Sequence, residues 1–237
     1  MPRYLQLLAL VAFHTFIREQ TDAAICETHH GGEYDATNFF SQPVVTGITP
    51  IGMDHISQLG PKIENIAWHK AGIFKSGTPA FSALQKPAVA AVLRSRAVEK
   101  EVPELRFVQV DPGFSNAFQQ GDNASFRAID TAAQQMNCSL AIAIAGAYLQ
   151  RKSVREEEDL SLTAVDIAKG IETFKWPGRF EAIVDDGGRS QWFLDGAHND
   201  ISVKQAVEWF AKNVEQRGTS SGYVKYSSHV NQKQYLQ

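Results

Sequence analysis

Short runs of alanine and β-branched residues, each stopping at polar residues, alternate with segments of helical period through the first 110 residues, and few folds accommodate that alternation. Ala23 to Cys26, Pro43 to Thr49, Thr78 to Ser82 and Leu105 to Val110 read as strands. Between them, about Tyr4 to Arg18, Glu64 to Ile73 and Ala88 to Lys100 carry apolar residues at helical spacing. Strands separated by helices cannot pair as hairpins, so the pattern predicts an α/β fold with a mostly parallel sheet flanked by helices. Ligands of such sheets gather where the strands end.

The pattern then changes. Asp111 to Asp130 is rich in Gly, Ser, Asn and Gln without a period and reads as an irregular connection. Thr131 to Gln150 predicts a buried helix carrying the apolar run Leu140 to Leu149, and the charge-dense Arg151 to Asp159 a solvated loop or helix start that breaks the chain. Leu162 to Phe174 predicts a short amphipathic helix. Trp176 opens a second unit, in which Phe180 to Val184 and Gln191 to Leu194 pair around Asp185-Asp186-Gly187-Gly188, followed by a helix from about Ser202 to Asn213. Residues 216–237 are polar, poor in aliphatics, and read as a tail of little order. The expected organisation is therefore 1–175, 176–215 and the tail 216–237.

Composition narrows the partners. A formal net charge of -3 and a pI near 6.2 give no broad electrostatic reason to bind nucleic acid or an acidic membrane surface. Two cysteines, Cys26 and Cys138, fit a reducing compartment better than a disulfide framework. Met1-Pro2-Arg3 with Leu5 to Phe13 imitates a secretory signal, but His14, Arg18, Glu19 and Gln20 continue the segment with polar residues and favour an amphipathic helix. No apolar run of about 18 residues exists, so no membrane span is expected.

Chemistry concentrates in three segments that follow apolar stretches: Glu27-Thr28-His29-His30-Gly31-Gly32-Glu33-Tyr34-Asp35-Ala36-Thr37-Asn38, then Asp54-His55, then Ile66-Ala67-Trp68-His69-Lys70-Ala71-Gly72-Ile73-Phe74-Lys75. Carboxylates, imidazoles and a lysine at strand ends read as a site rather than as core. Gly31 to Asn38, Gly47-Ile48-Thr49 with Gly52, Asp54-His55, Leu59-Gly60, Ile66-Ala67 and Lys70 to Lys75, in this order and spacing, resemble the folylpolyglutamate synthase family, of the Mur ligase superfamily and in its eukaryotic form. Gln134 to Ala143, Trp176-Pro177-Gly178-Arg179 and Asp195-Gly196-Ala197-His198-Asn199 resemble its later motifs, so the likeness runs from about Tyr4 to about Phe210.

The resemblance implies a partial P-loop ATPase domain of Mur-ligase type followed by the start of a smaller Rossmann-like α/β domain. It implies an ATP-dependent ligase that joins L-glutamate to the γ-carboxyl of tetrahydrofolate or its polyglutamates through an acyl phosphate. ATP and Mg2+ would be its cofactors, with a monovalent cation a further candidate. Glu27 and His55 match the family's metal ligands. Lys70 matches a lysine that bacterial members carbamylate, Arg179 and Asp195 match ATP contacts, and His198 matches a contact near the transferring phosphoryl group. Asn137 matches a substrate contact, and as the residue opening its helix it reads equally well as a cap. A monomer in the cytosol, and also in the mitochondrion, is the corresponding expectation.

The departures carry information too. His29 and His30 stand where the family has a glycine and an aliphatic residue, and Ala133 where a histidine is common. The sequence contains no Gly-x-x-x-x-Gly-Lys-[Ser/Thr] loop, the element that cradles a triphosphate; Lys75-Ser76 follows Phe74 and does not supply it. The chain thus reads as an N- and C-terminally truncated synthase, expected to be inactive by itself. Two other readings are a catalytically silent remnant that binds folate or a partner, and a metal-dependent hydrolase built on His29, His30, Asp54 and His55, since imidazole-rich sites favour zinc.

Overall fold

The structure is a computed structural model and describes residues 2–112, 129, 131–156, 160–185, 187 and 190–215. Most of the expected irregular connection, residues 157–159, part of the hairpin turn and the expected tail lie outside them.

Helix α1 (Tyr4–Arg18) is followed by an irregular stretch to β1 (Thr46–Ile48), then α2 (Ile56–Leu59) and α3 (Ile63–Lys70), which ends in a 3-10 turn, Ala71–Ile73. Strand β2 (Ala80–Ala83), α4 (Pro87–Glu99) and β3 (Leu105–Val108) complete a parallel sheet of order β1-β2-β3. Then come α5 (Ala132–Glu156), α6 (Ala164–Thr173), the antiparallel pair β4 (Glu181–Val184) and β5 (Gln191–Leu194), and α7 (Asp200–Glu215). No helix among the described residues is long and apolar enough to cross a membrane.

Strand β2 is buried along its whole length, as expected of a parallel strand covered on both faces. Its side chains alternate accordingly. Ala80 joins Ile48, Ile66, Phe74, Val89 and Leu93 in a core beneath α3 and α4, while Phe81 and Ala83 meet Met136 and Leu140 of α5 on the opposite face. Helix α6 adds Ile171 against Cys138 and Ile142 of α5. In the second unit, Trp209 of α7 packs its ring against Phe180 and Phe193 at centroid distances of 5.7 and 5.4 Å.

Three expectations are corrected. Ala23 to Cys26 forms no strand: the segment is irregular and Ile25 is 97% exposed. A short apolar run becomes a strand only where a neighbour completes its ladder, and none is offered there. Arg151 to Glu156 is not a loop but the last turns of α5. Arg, Lys and Glu propagate helices well, and the Arg151 guanidinium donates to the Val44 and Gly77 carbonyls, both at 3.3 Å. Asn137 does not open its helix: α5 starts at Ala132, and Thr131 caps it through a hydroxyl that accepts the Gln134 N–H at 3.1 Å.

Helix α1 forms as expected but contains no buried residue. Its described ring contacts come from Phe13, 4.9 Å from Phe40 edge-on and 6.3 Å from Phe39.

The tightest backbone contact lies where Gly31 to Asn38 meets the end of α3. The Glu33 N–H donates to the His69 carbonyl at 2.8 Å, and the Asn38 amide donates to the Gly72 carbonyl at 3.1 Å and the Glu33 carbonyl at 3.3 Å. The His69 and Gly72 carbonyls lie at the helix end, where carbonyls outnumber the N–H groups of the helix itself. Gly72 faces the Glu33 backbone so closely that a Cβ there would overlap it, whereas Gly77, at φ +71°, faces open space. Gly72→Ala should therefore cost about 2–3 kcal/mol in denaturant unfolding through overpacking. Gly77→Ala should cost only about 1 kcal/mol, through backbone strain. Equal midpoints for the two variants would show that the loop yields freely.

Candidate functional site

The C-terminal ends of β1 and β2 are tied together by a side chain. Gln85 donates from Nε2 to the Thr49 carbonyl at 2.9 Å and accepts the Ile51 N–H on Oε1 at 3.0 Å, which holds both ends of the loop that leads to Asp54 and His55. His55 then adopts the left-handed conformation, φ 51° and ψ 38°, and its carbonyl accepts from the Gln58 and Leu59 N–H groups to start α2. A non-glycine residue there is strained, and the strain sets the direction in which the imidazole leaves the chain.

Five chemically active side chains meet around that point. The His30 ring packs edge-on against His55 at 4.6 Å, and the Asp54 carboxylate lies 3.9 Å from His55 Nε2 and 3.6 Å from His198 Nε2. Asn199 Nδ2 donates to Asp54 Oδ2 at 3.3 Å. Lys70 comes from the end of α3, and its charge is felt by His55.

The electrostatics follow from one carboxylate among several bases. Burial pushes Asp54 up, but the neighbouring His55, its N–H, Asn199 and His198 outweigh that and hold the carboxyl below its ordinary value. Burial pushes His55 down; Asp54 opposes this, while His30, Lys70 and His198 reinforce it. Burial likewise pushes Lys70 down against the attraction of Asp54. Bases whose proton affinity is lowered by burial and by each other form a place where an anionic ligand would relieve the strain.

The sequence-derived candidates are distributed unevenly over this arrangement. His55, Lys70 and His198 are brought together. Glu27 lies exposed on the irregular stretch after α1, and among the described residues no group of three or more His, Cys, Asp or Glu side chains is placed to hold a metal ion. His29 is exposed too. Asn137 lies half-buried in the second turn of α5.

Arg179 and Asp195 organise the second unit. Asp195 accepts the Phe180 N–H on Oδ2 at 2.8 Å and the Ala197 N–H on Oδ1 at 2.7 Å, and the Arg179 guanidinium fills the space that a side chain at Gly196 would need. Asn199 caps α7, its Oδ1 accepting the Ser202 N–H at 3.0 Å, while the Ser202 hydroxyl accepts the Asn199 N–H at 3.1 Å. That reciprocal box places Ser202 where a glutamate is usual.

Sequence reasoning missed Gln85, Asn199, Ser202 and the ion pairs of Glu33. Glu33 holds Arg96, whose side chain is only 4% exposed, and Lys100 at 3.1 Å. Asn199 alone carried a readable signal, an Asn directly before a helical period. Asp195→Ala removes the acceptor of two backbone N–H groups and should cost about 2 kcal/mol in thermal or denaturant unfolding without any nucleotide. A cost below about 0.5 kcal/mol, the range of an ordinary surface change, would make the carboxylate purely ligand-facing.

No family model matches the chain. A folylpolyglutamate synthase of Neurospora crassa is 40% identical over 211 residues, 89% of this chain and 38% of that protein. The human mitochondrial folylpolyglutamate synthase is 35% identical over 238 residues, 94% of this chain and 39% of that protein. The chain thus spans under two-fifths of the length of these relatives. Among solved structures, the apo form of L. casei FPGS superimposes with a TM-score of 0.70 at 26% identity, covering 90% of this chain and 52% of that one. An FPGS-AMPPCP-folate complex does so with a TM-score of 0.68 at 28% identity, covering 87% of this chain and 51% of that one. Such agreement, over about nine-tenths of the chain in sequence and in three dimensions, makes this chain a homologue of part of the folylpolyglutamate synthases, whose fold it shares.

Proposed function

We propose that these residues are the part of an ATP-dependent folate:glutamate ligase that receives the charged ends of its substrates. The observation that carries this reading is the cluster itself: His55, His198 and Lys70 lie around the Asp54 carboxylate at the C-terminal edge of the sheet, with the His30 ring packed against His55. Joining glutamate to a γ-carboxyl through an acyl phosphate brings carboxylates and phosphates together, and cationic side chains lower the barrier by neutralising that charge. A ligase of this kind needs ATP, and some solved relatives are described as complexes with AMPPCP or ADP.

In this reading residues 1–175 contribute to the ATPase domain and 176–215 begin the C-terminal domain. Lys70 and His198 stand closest to the transferring group, Arg179 and Asp195 hold ATP, and Asn137 contacts substrate. The half-buried Lys70 presents its ammonium to the cluster without the hydration of a surface lysine. Asp195 accepts two backbone hydrogen bonds, yet a carboxylate has about four acceptor positions, so capacity remains for a ribose or an adenine amine.

Glu27 and His55 offer one oxygen and one nitrogen ligand, an incomplete set of the kind Mg2+ accepts when phosphate oxygens and water fill the octahedron. The buried Nε2 of His30, which has no hydrogen-bond partner, supports a polar ligand beside this cluster. When bound, the ion would neutralise charge on the transferring phosphoryl group. A zinc hydrolase on His29, His30, Asp54 and His55 is not supported: zinc sites take at least three protein ligands, His29 is exposed, and among the described residues no three such side chains are placed to hold one ion. Human, bovine and hamster relatives are mitochondrial, which supports that compartment alongside the cytosol.

The test is a hybrid in which residues 4–210 replace the matching stretch of the Neurospora crassa relative. ATP-dependent attachment of labelled glutamate to tetrahydrofolate should appear in the hybrid and be absent from residues 1–237 alone, because the triphosphate cradle is not in this sequence. A folded but inactive hybrid favours the silent-remnant reading. Within an active hybrid, Arg179→Ala should raise the KM for ATP about tenfold or more, the loss expected of one charge-assisted phosphate contact. Unchanged nucleotide kinetics would remove Arg179 from the ATP site.

A further inference from the structure

We propose that Asp54 is a positioning residue that latches the second unit onto the first and so sets where His198 stands. Its carboxylate is held on its own side before it reaches across. Oδ1 accepts the His55 N–H at 2.8 Å, and Gln85 fixes the loop that carries it. Oδ2 is left to meet residues of the other unit, Asn199 at 3.3 Å and His198 at 3.6 Å.

The partners are equally constrained. Asn199 uses Oδ1 to cap α7, which obliges Nδ2 to point away from the helix; a flipped amide would lose both the cap and the bond to Asp54. His198 Nδ1 lies 2.9 Å from the Gly196 carbonyl. A carbonyl only accepts, so Nδ1 carries a proton, and Nε2 faces Asp54, which it attracts as the second N–H of the imidazolium form. Two residues before Asp54, Gly52 leaves the room that the Ile201 side chain occupies. Residues 52–54 therefore meet residues 198–201 through one apolar and two polar contacts, each with a fixed partner orientation.

Asp54 acts on the site through His198 and Asn199. Without it, nothing in this contact directs the His198 ring toward the first unit, and of the contact between residues 52–54 and 198–201 the Gly52–Ile201 packing remains. The latch stands whether or not the ligase reading holds, because it concerns the two units and not a substrate.

The experiment uses residues 1–237 with Cys26→Ser and Cys138→Ser, and spin labels at the exposed Glu64→Cys and Lys204→Cys. The parent should give a single narrow interlabel distance. Asp54→Ala and Asn199→Asp, the latter keeping the oxygen that caps α7, should each broaden it about twofold or more, and the double variant should be no broader than either single one, since both changes open the same contact. Asp54→Asn keeps one acceptor oxygen for the two N–H groups that Asp54 serves, and should restore the narrow distribution in part while shifting the His198 ring resonances, which a merely structural loop residue would leave in place. An unchanged width in Asp54→Ala, or additive broadening in the double variant, overturns the proposal. Should Asp54→Ala fail to fold by circular dichroism, Asn199→Asp, which keeps the oxygen that caps α7 and removes the donor to Asp54, decides alone: an unchanged width there overturns the latch, and broadening supports it.

Discussion

The seating of Gly31 to Asn38 on the end of α3 is the constraint from which the rest of the site follows. One N–H, one side-chain amide and two glycines without room for a Cβ bind an otherwise irregular segment to a helix terminus. That seating places His30 beside the loop from β1, and it fixes the last turn of α3 from which Lys70 projects. Behind it, Glu33 meets the buried Arg96, which also lies over the Trp68 ring at 4.3 Å. A buried guanidinium with one partner removed is costly, roughly 3–5 kcal/mol, so the ion pair works less as a source of net stability than as a penalty on any displacement of the loop.

The parts of this architecture that were legible in the sequence are those where local and tertiary preferences agree. Ile63 to Lys70, Pro87 to Glu99 and Ala164 to Thr173 are helices by period as well as by packing, and Thr46 to Ile48 and Ala80 to Ala83 are β-branched, aromatic or small residues mostly buried on the sheet. The errors lie where the two diverge. Ala23 to Cys26 has strand character without a strand to pair with, and Arg151 to Glu156 has the charge of a loop on residues that favour helix. In the site, histidines and the lysine stood out by type. Gln85 did not, because an amide that bridges two loops looks in one dimension like any surface glutamine, and its role exists only once residues 36 positions apart are adjacent.

The segment from Asp195 to Asn199 shows how a short motif can be explained twice. Each of its polar side chains has an internal duty: Asp195 gathers two N–H groups, His198 folds back on Gly196, and Asn199 caps α7. Read alone, these bonds describe a well-made turn before a helix. Yet each residue also keeps an unused polar valence, and those of His198 and Asn199 point at the first unit. A turn stiffened by its own side chains can offer the remaining groups to a neighbour or ligand at little entropic cost, which is the physical meaning of preorganisation here.

Helix α1 stands outside this economy of shared contacts. Leu5, Leu7, Leu8, Leu10, Val11 and Ile17 are all exposed, and past the helix the Tyr148 hydroxyl donates to the Asp22 carbonyl at 3.0 Å. Little apolar surface would be newly wetted if α1 swung free, so its detachment lies near the bottom of the ladder of opening free energies while the β2 core lies near the top. The native state is therefore graded: amides of α1 should exchange with solvent through fluctuations far smaller than unfolding, and among the described residues the first cut of a protease should fall between the helix and the sheet.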